Sequence, residues 1–328
     1  MFKGLSSFRG SGLVCICFLT TLFTPASNAL QQTLFERHDS HPLISLNYQW
    51  REAAGQNRNL SVELDKDSFL SSLKRFRNYD PKRANRELFK RLHRYIRQQN
   101  YRGVEVDLGP REQHINVSVR NGFNRQQQAE YQQQAQRVRD YYKQQWTDYL
   151  SANFYQQLTL PLGEHGIIPD AVAIAKSQRP LFKPVIDQIG QTLRDNSRRS
   201  YANFIAQFIQ AIPYTTLEDG INSRGDGFIP PNQVLFYNQG DCDSKASLMA
   251  ALLHPIIPQA KMAIIYLPGH ALFAVNMASE KGDSMIRHDG SEMVLVEVAG
   301  PAMMSAGTIS QQSQFYIDSG QYSVISLN

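Results

Sequence analysis

The chain has 328 residues, 42% of them hydrophobic and 19% charged, with a formal net charge of +5. A chain of this length and composition can bury a large core and form one large or two ordinary domains. After residue 30 no stretch approaches twenty consecutive apolar residues, so the sequence excludes a membrane-spanning helix in that part of the chain.

The first 29 residues have the pattern of a signal peptide. Lys3 and Arg9 precede an apolar segment, residues 13–23, and Ser-Asn-Ala at 27–29 resembles a cleavage site. The apolar segment is short for a membrane span, although an uncleaved anchor is the alternative. We therefore expect a periplasmic or secreted protein that lacks a transmembrane helix after cleavage.

A single cysteine would remain after this cleavage. Cys15 and Cys17 lie inside the predicted signal peptide, so only Cys242 stays in the mature chain. An exported protein with one thiol cannot form an internal disulfide. Cys242 is therefore an inert buried side chain, an intermolecular link or a reactive group.

The residues after the signal peptide predict strands followed by a short helix. Residues 31–40 are polar, and we expect them to form an irregular arm. Apolar and polar residues alternate in 43–52 and 60–64, which is typical of strands. Asp67 or Ser68 can cap a short helix after the second of these strands.

A long basic helix is predicted next. Asp80 is a suitable N-cap before Pro81, and an apolar residue then recurs every four positions from Ala84 to Ile96. Residues 74–102 contain eleven Lys or Arg and two acidic residues, a net charge of +9. This stripe is suited to an anionic membrane surface or an acidic cell-wall polymer, and export argues against nucleic acid. The alternative is a solvated helix face.

The remainder of the N-terminal half predicts a hairpin and a second long helix. Residues 103–108 and 114–119 read as paired strands around a Gly-Pro turn. The glutamine-rich segment 125–149 places apolar and aromatic residues at helical spacing, which predicts an amphipathic helix. Prolines and glycines then predict a domain boundary, which divides an α+β domain, residues 30–165, from a C-terminal domain, residues 166–328.

The C-terminal domain is expected to place helices before an antiparallel sheet, an α+β layout. Helices are predicted at 170–175, 184–194, 197–211 and 242–253. A loop rich in Gly, Asp and Pro separates the last two, at 214–233, and it lacks the register of an EF-hand calcium loop. Five strands are predicted afterwards: 261–267, 270–276, 285–288, 293–298 and 322–327.

Cys242 stands at the start of the predicted helix 242–253. Gly240 permits a sharp entry, Asp241 is a good N-cap, and the first turn of a helix favours a thiolate. Asp241 and Asp243 flank the sulfur with negative charge, which opposes a lowered pKa, so a cation must offset them. The best candidate is His270, at the head of a predicted strand.

A cysteine, a histidine and an acid in this order suit a catalytic triad, in which the histidine takes the thiol proton and the acid orients the imidazole. Three motifs carry a family resemblance: Gly-Asp-Cys-Asp-Ser-Lys-Ala at 240–246, Pro-Gly-His-Ala at 268–271 and Phe-Ile-Gln-Ala-Ile-Pro-Tyr at 208–214. They resemble the transglutaminase-like superfamily, in particular exported bacterial transglutaminase-like cysteine proteinases. The resemblance covers about residues 180–301 and leaves the N-terminal half unexplained.

The resemblance implies a transglutaminase-like (papain-like) domain, with a core helix carrying the cysteine against an antiparallel sheet. It implies that Cys242 is the nucleophile and His270 the base. The family commonly has Asp as the third member, whereas this chain offers Glu297 in an apolar strand, where an acid needs a partner. Asp289 beside a turn glycine is the second choice, and Asp283 the third.

The resemblance also implies function and ligands. It indicates a peptidase or amidase that acts on protein or peptide amide bonds; the alternatives are a cross-linking transglutaminase and a binding or scaffold protein with a vestigial triad. No cofactor is required, but some relatives depend on calcium bound by acidic residues beside the nucleophile, which map onto Asp241 and Asp243. The alternative for these two residues is an N-cap and a solvated acid.

Overall fold

A computed structural model describes residues 31–74, 76–112, 114–159, 163, 165–217 and 227–327. The predicted signal peptide and most of the Gly- and Asp-rich part of the 214–233 loop lie outside these ranges. The fold is mixed α+β, and all of its strand pairs within the described sheets are antiparallel. The structure contains, over the same ranges, no helix that is long and apolar enough to cross a membrane.

The described part of the chain begins with a three-stranded sheet, in the order β1-β2-β3: β1 Gln32–Ser40, β2 Leu43–Arg51 and β3 Asn57–Asp65. The prediction of an irregular arm over 31–40 was therefore wrong. Polar residues can form this strand because β1 is an edge strand whose side chains are mostly exposed, and β2 pairs with it along almost its whole length.

A layer of helices and hairpins follows, as predicted except at the first cap. It contains α1 Lys66–Ser71, α2 Pro81–Gln98, β4 Val104–Leu108, β5 Ile115–Val119 and α3 Arg125–Ala152. Asp65, and neither Asp67 nor Ser68, caps α1 by accepting a hydrogen bond from the Ser68 backbone N–H at 2.9 Å. Asp80 caps α2 as predicted and accepts from the next backbone N–H groups.

The predicted domain boundary falls in a hairpin, which consists of β6 Tyr155–Thr159 and β7 His165–Pro169. The hydrophobic core continues across this position, because Tyr48 and Trp50 of β2 pack on Phe208, with ring centroids 5.0 and 5.3 Å away. Tyr48 also donates a hydrogen bond of 2.5 Å to the Leu235 carbonyl. The first sheet thus shares its core with the C-terminal helices, and the division at residue 165 remains a prediction.

The C-terminal half begins with five α-helices: α4 Ala171–Gln178, α5 Lys183–Thr192, α6 Arg198–Ala211, α7 Pro231–Tyr237 and α8 Cys242–Ile256. The prediction of a continuous loop over 214–233 missed α7, which begins with a proline at its first position. The α8 helix also extends past its predicted end at Leu253. Pro255 lies inside this last turn, where it has no N–H to donate to the Ala251 carbonyl, and the helix ends one residue later.

The last five strands form one sheet in the order β10-β11-β9-β8-β12. They are β8 Met262–Leu267, β9 His270–Val275, β10 Met285–His288, β11 Ser291–Val296 and β12 Ser323–Ser326, with α9 Gln311–Asp318 before β12. The α8 helix is buried along nearly its whole length and packs on β9. This packing sets the start of α8 beside the start of β9, where Cys242 and His270 lie.

Candidate active site

Cys242 occupies the first position of α8, as the sequence predicted. Asp241 precedes it as the N-cap and accepts a hydrogen bond of 3.0 Å from the Ser244 backbone N–H. The left-handed backbone conformation in the loop before the helix is at Asn238, with φ 52°, and not at Gly240. Gly240 instead forms a parallel bridge with Tyr214, which ties the loop to the end of α6.

The thiol of Cys242 is nearly buried and is held by its acidic neighbour. Its Sγ lies 3.4 Å from Asp243 Oδ1, and the side chain is 8% exposed. Burial, followed by the charges of Asp243 and Asp241, raises the pKa of Cys242 far above its ordinary value, and the backbone N–H of Ala271 acts weakly to lower it. Burial, together with the two aspartates, therefore outweighs the effect of the helix start, which on its own favours a lowered thiol pKa.

His270 and Glu297 form the best-defined part of the site. Nε2 of His270 lies 3.1 and 3.0 Å from the two carboxylate oxygens of Glu297. Glu297 Oε1 also accepts hydrogen bonds of 2.9 Å from the backbone N–H groups of Val298 and Ala299. The carboxylate, which directly follows β11, is therefore fixed against the imidazole, and a proton on Nε2 leaves Nδ1 as the acceptor.

The imidazole lies near the thiol without bonding to it. The backbone N–H of Ala271, the residue after His270, lowers the pKa of Cys242 through a hydrogen bond to the sulfur. Burial raises the pKa of Asp243, and the charge of His270 acts in the opposite direction and lowers it. No hydrogen bond joins Cys242 to His270 among the described residues. In this state the thiol donates to Asp243.

The alternative acids lie elsewhere. Asp289 occupies the turn between β10 and β11, with φ 46°, and its carboxylate contacts His288 at 3.2 Å. Asp283 pairs with Arg199 of α6. Since Glu297 alone of the three contacts His270, the geometry favours it as the third member, and the catalytic roles themselves remain predictions.

The two aspartates beside the thiol were predicted as a calcium site or as an N-cap and a solvated acid. Asp243 is not a solvated acid, because it accepts from the Cys242 thiol and burial raises its pKa. Asp241 acts as the cap, and burial, then the charge of Asp243, raises its pKa to about 7. Calcium takes about six to eight oxygen ligands. Within the described ranges no group of three or more His, Cys, Asp or Glu side chains could hold a metal ion. Calcium binding by Asp241 and Asp243 therefore stays a prediction, and the reaction proposed for the site does not depend on it.

Lys245 is a buried charged residue beside this site that the sequence did not mark as a candidate. Its side chain is fully buried, and Nζ donates a hydrogen bond of 2.5 Å to the Ile212 carbonyl. Burial lowers its pKa to about 7, while the charge of Glu297 and then that of Asp241 oppose this effect. A lysine inside a run of small and apolar helical residues was the signal that could have marked it.

Gln210 of α6 was also missed, and it holds the segment that carries Glu297. Its buried side-chain amide donates to the carbonyls of Glu297, at 2.8 Å, and Met304, at 3.0 Å. The amide oxygen accepts from the Met304 backbone N–H at 2.8 Å. Gly300 lies so close that an added Cβ would be 2.2 Å from the Gln210 carbonyl oxygen. The segment after β11 is therefore fixed to α6.

We expect Gln210→Met to slow the alkylation of Cys242 by iodoacetamide at neutral pH by about tenfold or more, because the loss of three hydrogen bonds frees Glu297 to shift from His270. Gln207→Met is the matched control. Gln207 lies on the same helix with a similarly buried amide, but it accepts a bond from Ala53, in the loop between β2 and β3. Equal slowing in both variants would show a general loss of packing and contradict the expectation.

The basic helix of the sequence prediction is α2, and its cationic face is exposed. Lys82, Arg86, Lys90 and Arg94 recur every four residues along this face. Arg86 contacts Glu112 at 2.6 Å, and the side chains of this pair are 61% and 34% exposed. Such an exposed pair contributes little to stability, and contact of this cationic face with an anionic partner stays a prediction.

Comparisons of the chain with protein-family models, curated proteins and solved structures gave no match. The assignment to the transglutaminase-like superfamily therefore depends on the motifs around Cys242 and His270, and it is a proposal.

Proposed function

We propose that the protein is a transglutaminase-like cysteine hydrolase that cleaves amide bonds in proteins or peptides. The observation that carries the proposal is the fixed contact between His270 Nε2 and the Glu297 carboxylate. A buried carboxylate with two backbone donors and an imidazole is the arrangement that orients a catalytic base. The base stands at the start of β9, beside the helix start that carries the thiol.

In the reaction, the Cys242 sulfur attacks the carbonyl carbon of the amide and forms a carbon–sulfur bond. The thiol proton passes to Nδ1 of His270, and Glu297 stabilises the resulting imidazolium. The Cys242 backbone N–H, at a helix position with no intrahelical acceptor, can donate to the oxygen that becomes negative. Collapse breaks the carbon–nitrogen bond, and His270 returns the proton to the departing amine.

Water then attacks the thioester on Cys242. His270 accepts a proton from the water, the carbon–sulfur bond breaks and the carboxylic acid leaves, and His270 returns the proton to the sulfur, which restores the Cys242 thiol. A primary amine in place of water would give transamidation through the same three side chains. We favour hydrolysis because water is always present, whereas cross-linking requires a site that binds the amine and excludes water.

A non-catalytic binding protein is the second candidate. Two observations favour it: burial and the aspartates raise the pKa of Cys242, and the thiol bonds to Asp243 and not to His270. A vestigial triad would keep the His270–Glu297 contact as a structural element. The two functions differ in whether Cys242 reacts.

The experiment is product analysis by mass spectrometry. The protein is incubated with a tryptic peptide mixture, with and without a dansylated primary amine and after pretreatment with iodoacetamide. We expect new peptide termini that the pretreatment prevents. Incorporation of the amine without new termini would instead indicate a transglutaminase. No product under either condition would favour the binding protein, and repetition with chelator and added calcium tests the predicted calcium dependence.

Location and partners complete the proposal. A signal peptide over residues 1–29 would deliver the protein to the periplasm or the exterior, so its protein substrates would be in the cell envelope. The exposed basic face of α2 would then contact an anionic surface there.

A further inference from the structure

A cleft of about 380 Å³ opens at the candidate active site and includes His270 and Glu297 in its wall. Most residues of the segment 299–304, which follows Glu297, line the cleft, as do Tyr214 and Tyr316. Apart from His270 and Glu297, none of the described residues that line the cleft is charged. A substrate that reaches the imidazole must place part of itself in this space.

Several polar side chains of the cleft are already engaged with one another or with the backbone. Ser310 and Ser313 bond to each other at 2.9 Å, and the Ser310 hydroxyl also accepts from the Ser313 backbone N–H at 3.0 Å. Both oxygens of Glu297 contact His270, and one accepts from two backbone N–H groups. Most hydrogen-bonding positions of the carboxylate are therefore already used within the protein.

The wall that faces the active site is also fixed in shape. Gln210 bonds to both backbone groups of Met304, which ends the segment 299–304. It also bonds to the carbonyl of Glu297, two residues before the segment begins. A fixed wall without charged side chains distinguishes substrate groups by the free energy needed to remove each group from water. Against the segment 299–304, which has no charged side chain, a charged substrate group would lose its water without gaining an opposite charge, whereas an apolar group gains by leaving water.

We propose that this cleft is a substrate subsite that takes an uncharged, apolar or aromatic side chain beside the amide bond that Cys242 attacks. The proposal rests on the proposed hydrolase function. It assigns the specificity of the enzyme to the wall formed by residues 299–304.

The test uses three chloroacetamides as probes: N-benzyl, N-(2-carboxyethyl) and N-(2-aminoethyl). The Cys242 sulfur forms a bond to the methylene carbon, chloride leaves with the electron pair of the carbon–chlorine bond, and the thiol proton passes to His270. The rate at Cys242, located by peptide mapping, is divided by the rate of each reagent with N-acetylcysteine. We expect the N-benzyl ratio to exceed both charged ratios by about tenfold or more.

The variant Ala302→Asp places a charge in the exposed part of the wall, and we expect it to reverse the preference in favour of the N-(2-aminoethyl) reagent. Ala152→Asp, exposed at the end of α3, is the control and should leave the ratios unchanged. Equal ratios for the three reagents, with alkylation that still depends on His270, would overturn the subsite alone. Alkylation that does not depend on His270 would overturn the hydrolase function and the subsite together.

Discussion

Replacing Cys242 by alanine should lower the rate of amide hydrolysis by about 10⁴-fold or more, to the background of the assay. The reason is that the thioester cannot form, and the remaining imidazole and carboxylate have no nucleophile to activate. The measurement is the appearance of new peptide termini by mass spectrometry. Since Cys242 is buried and small, alanine should preserve the fold, which circular dichroism and urea unfolding check.

Cys242→Ser is the matched control for this prediction. It keeps the shape and the hydrogen bond to Asp243 but replaces the thiol with a hydroxyl, whose proton is far harder to remove. We expect it to lose activity nearly as completely as alanine does. Undiminished hydrolysis in either variant would contradict the assignment of Cys242 as the nucleophile.

Phe208→Ala should destabilise the protein by about 3–5 kcal/mol, the range for large cavities in a core. The ring of Phe208 lies 5.0 Å from that of Tyr48 and 5.3 Å from that of Trp50, so its removal opens a cavity between α6 and the first sheet. The measurement is urea unfolding, followed separately by tryptophan fluorescence and by circular dichroism. The two signals should move together to lower urea, because the sheet and the helices share one core.

Phe123→Ala is the control for this prediction. The side chain is 97% exposed, so the substitution should leave the free energy of unfolding unchanged within about 0.5 kcal/mol. Two separate transitions, with Phe208→Ala affecting only one of them, would contradict a shared core and support a domain division at residue 165.

The long helices and the later strands were predictable because their patterns are strong. In α2 the four-residue recurrence from Ala84 to Leu92 matches the buried face, and Asp80 and Pro81 mark its start. The strands β8 and β9 are uninterrupted apolar runs between turn residues. In these elements local preference and tertiary packing agree, so the sequence alone suffices.

Other elements form because of their neighbours. The strand β1 has few apolar residues, and its backbone is ordered by pairing with β2, a partner that the residues of β1 do not reveal. The helix α7 is short, and its first turn begins with Pro231 in a segment rich in turn residues. Local composition in these cases favours a loop, and the tertiary structure overrides it.

The candidate site was predictable in part. An acid in an apolar segment needs a partner, and this argument together with the family resemblance placed Glu297 with His270, which the structure shows in contact. The bond from the thiol to Asp243 and the buried amide of Gln210 depend on side-chain orientation. The sequence does not specify orientation, so these contacts could not be predicted.

The activation of Cys242 by His270 is tested most directly by the rate at which iodoacetamide alkylates the thiol. The rate is measured from about pH 5 to pH 10 in the unmodified protein and in His270→Ala, with peptide mapping to separate Cys242 from Cys15 and Cys17. We expect His270→Ala to slow alkylation at pH 7 by about 10²-fold, since the base that accepts the thiol proton is lost. Equal rates in the two proteins, rising only at high pH as burial of the thiol alone would produce, would contradict it.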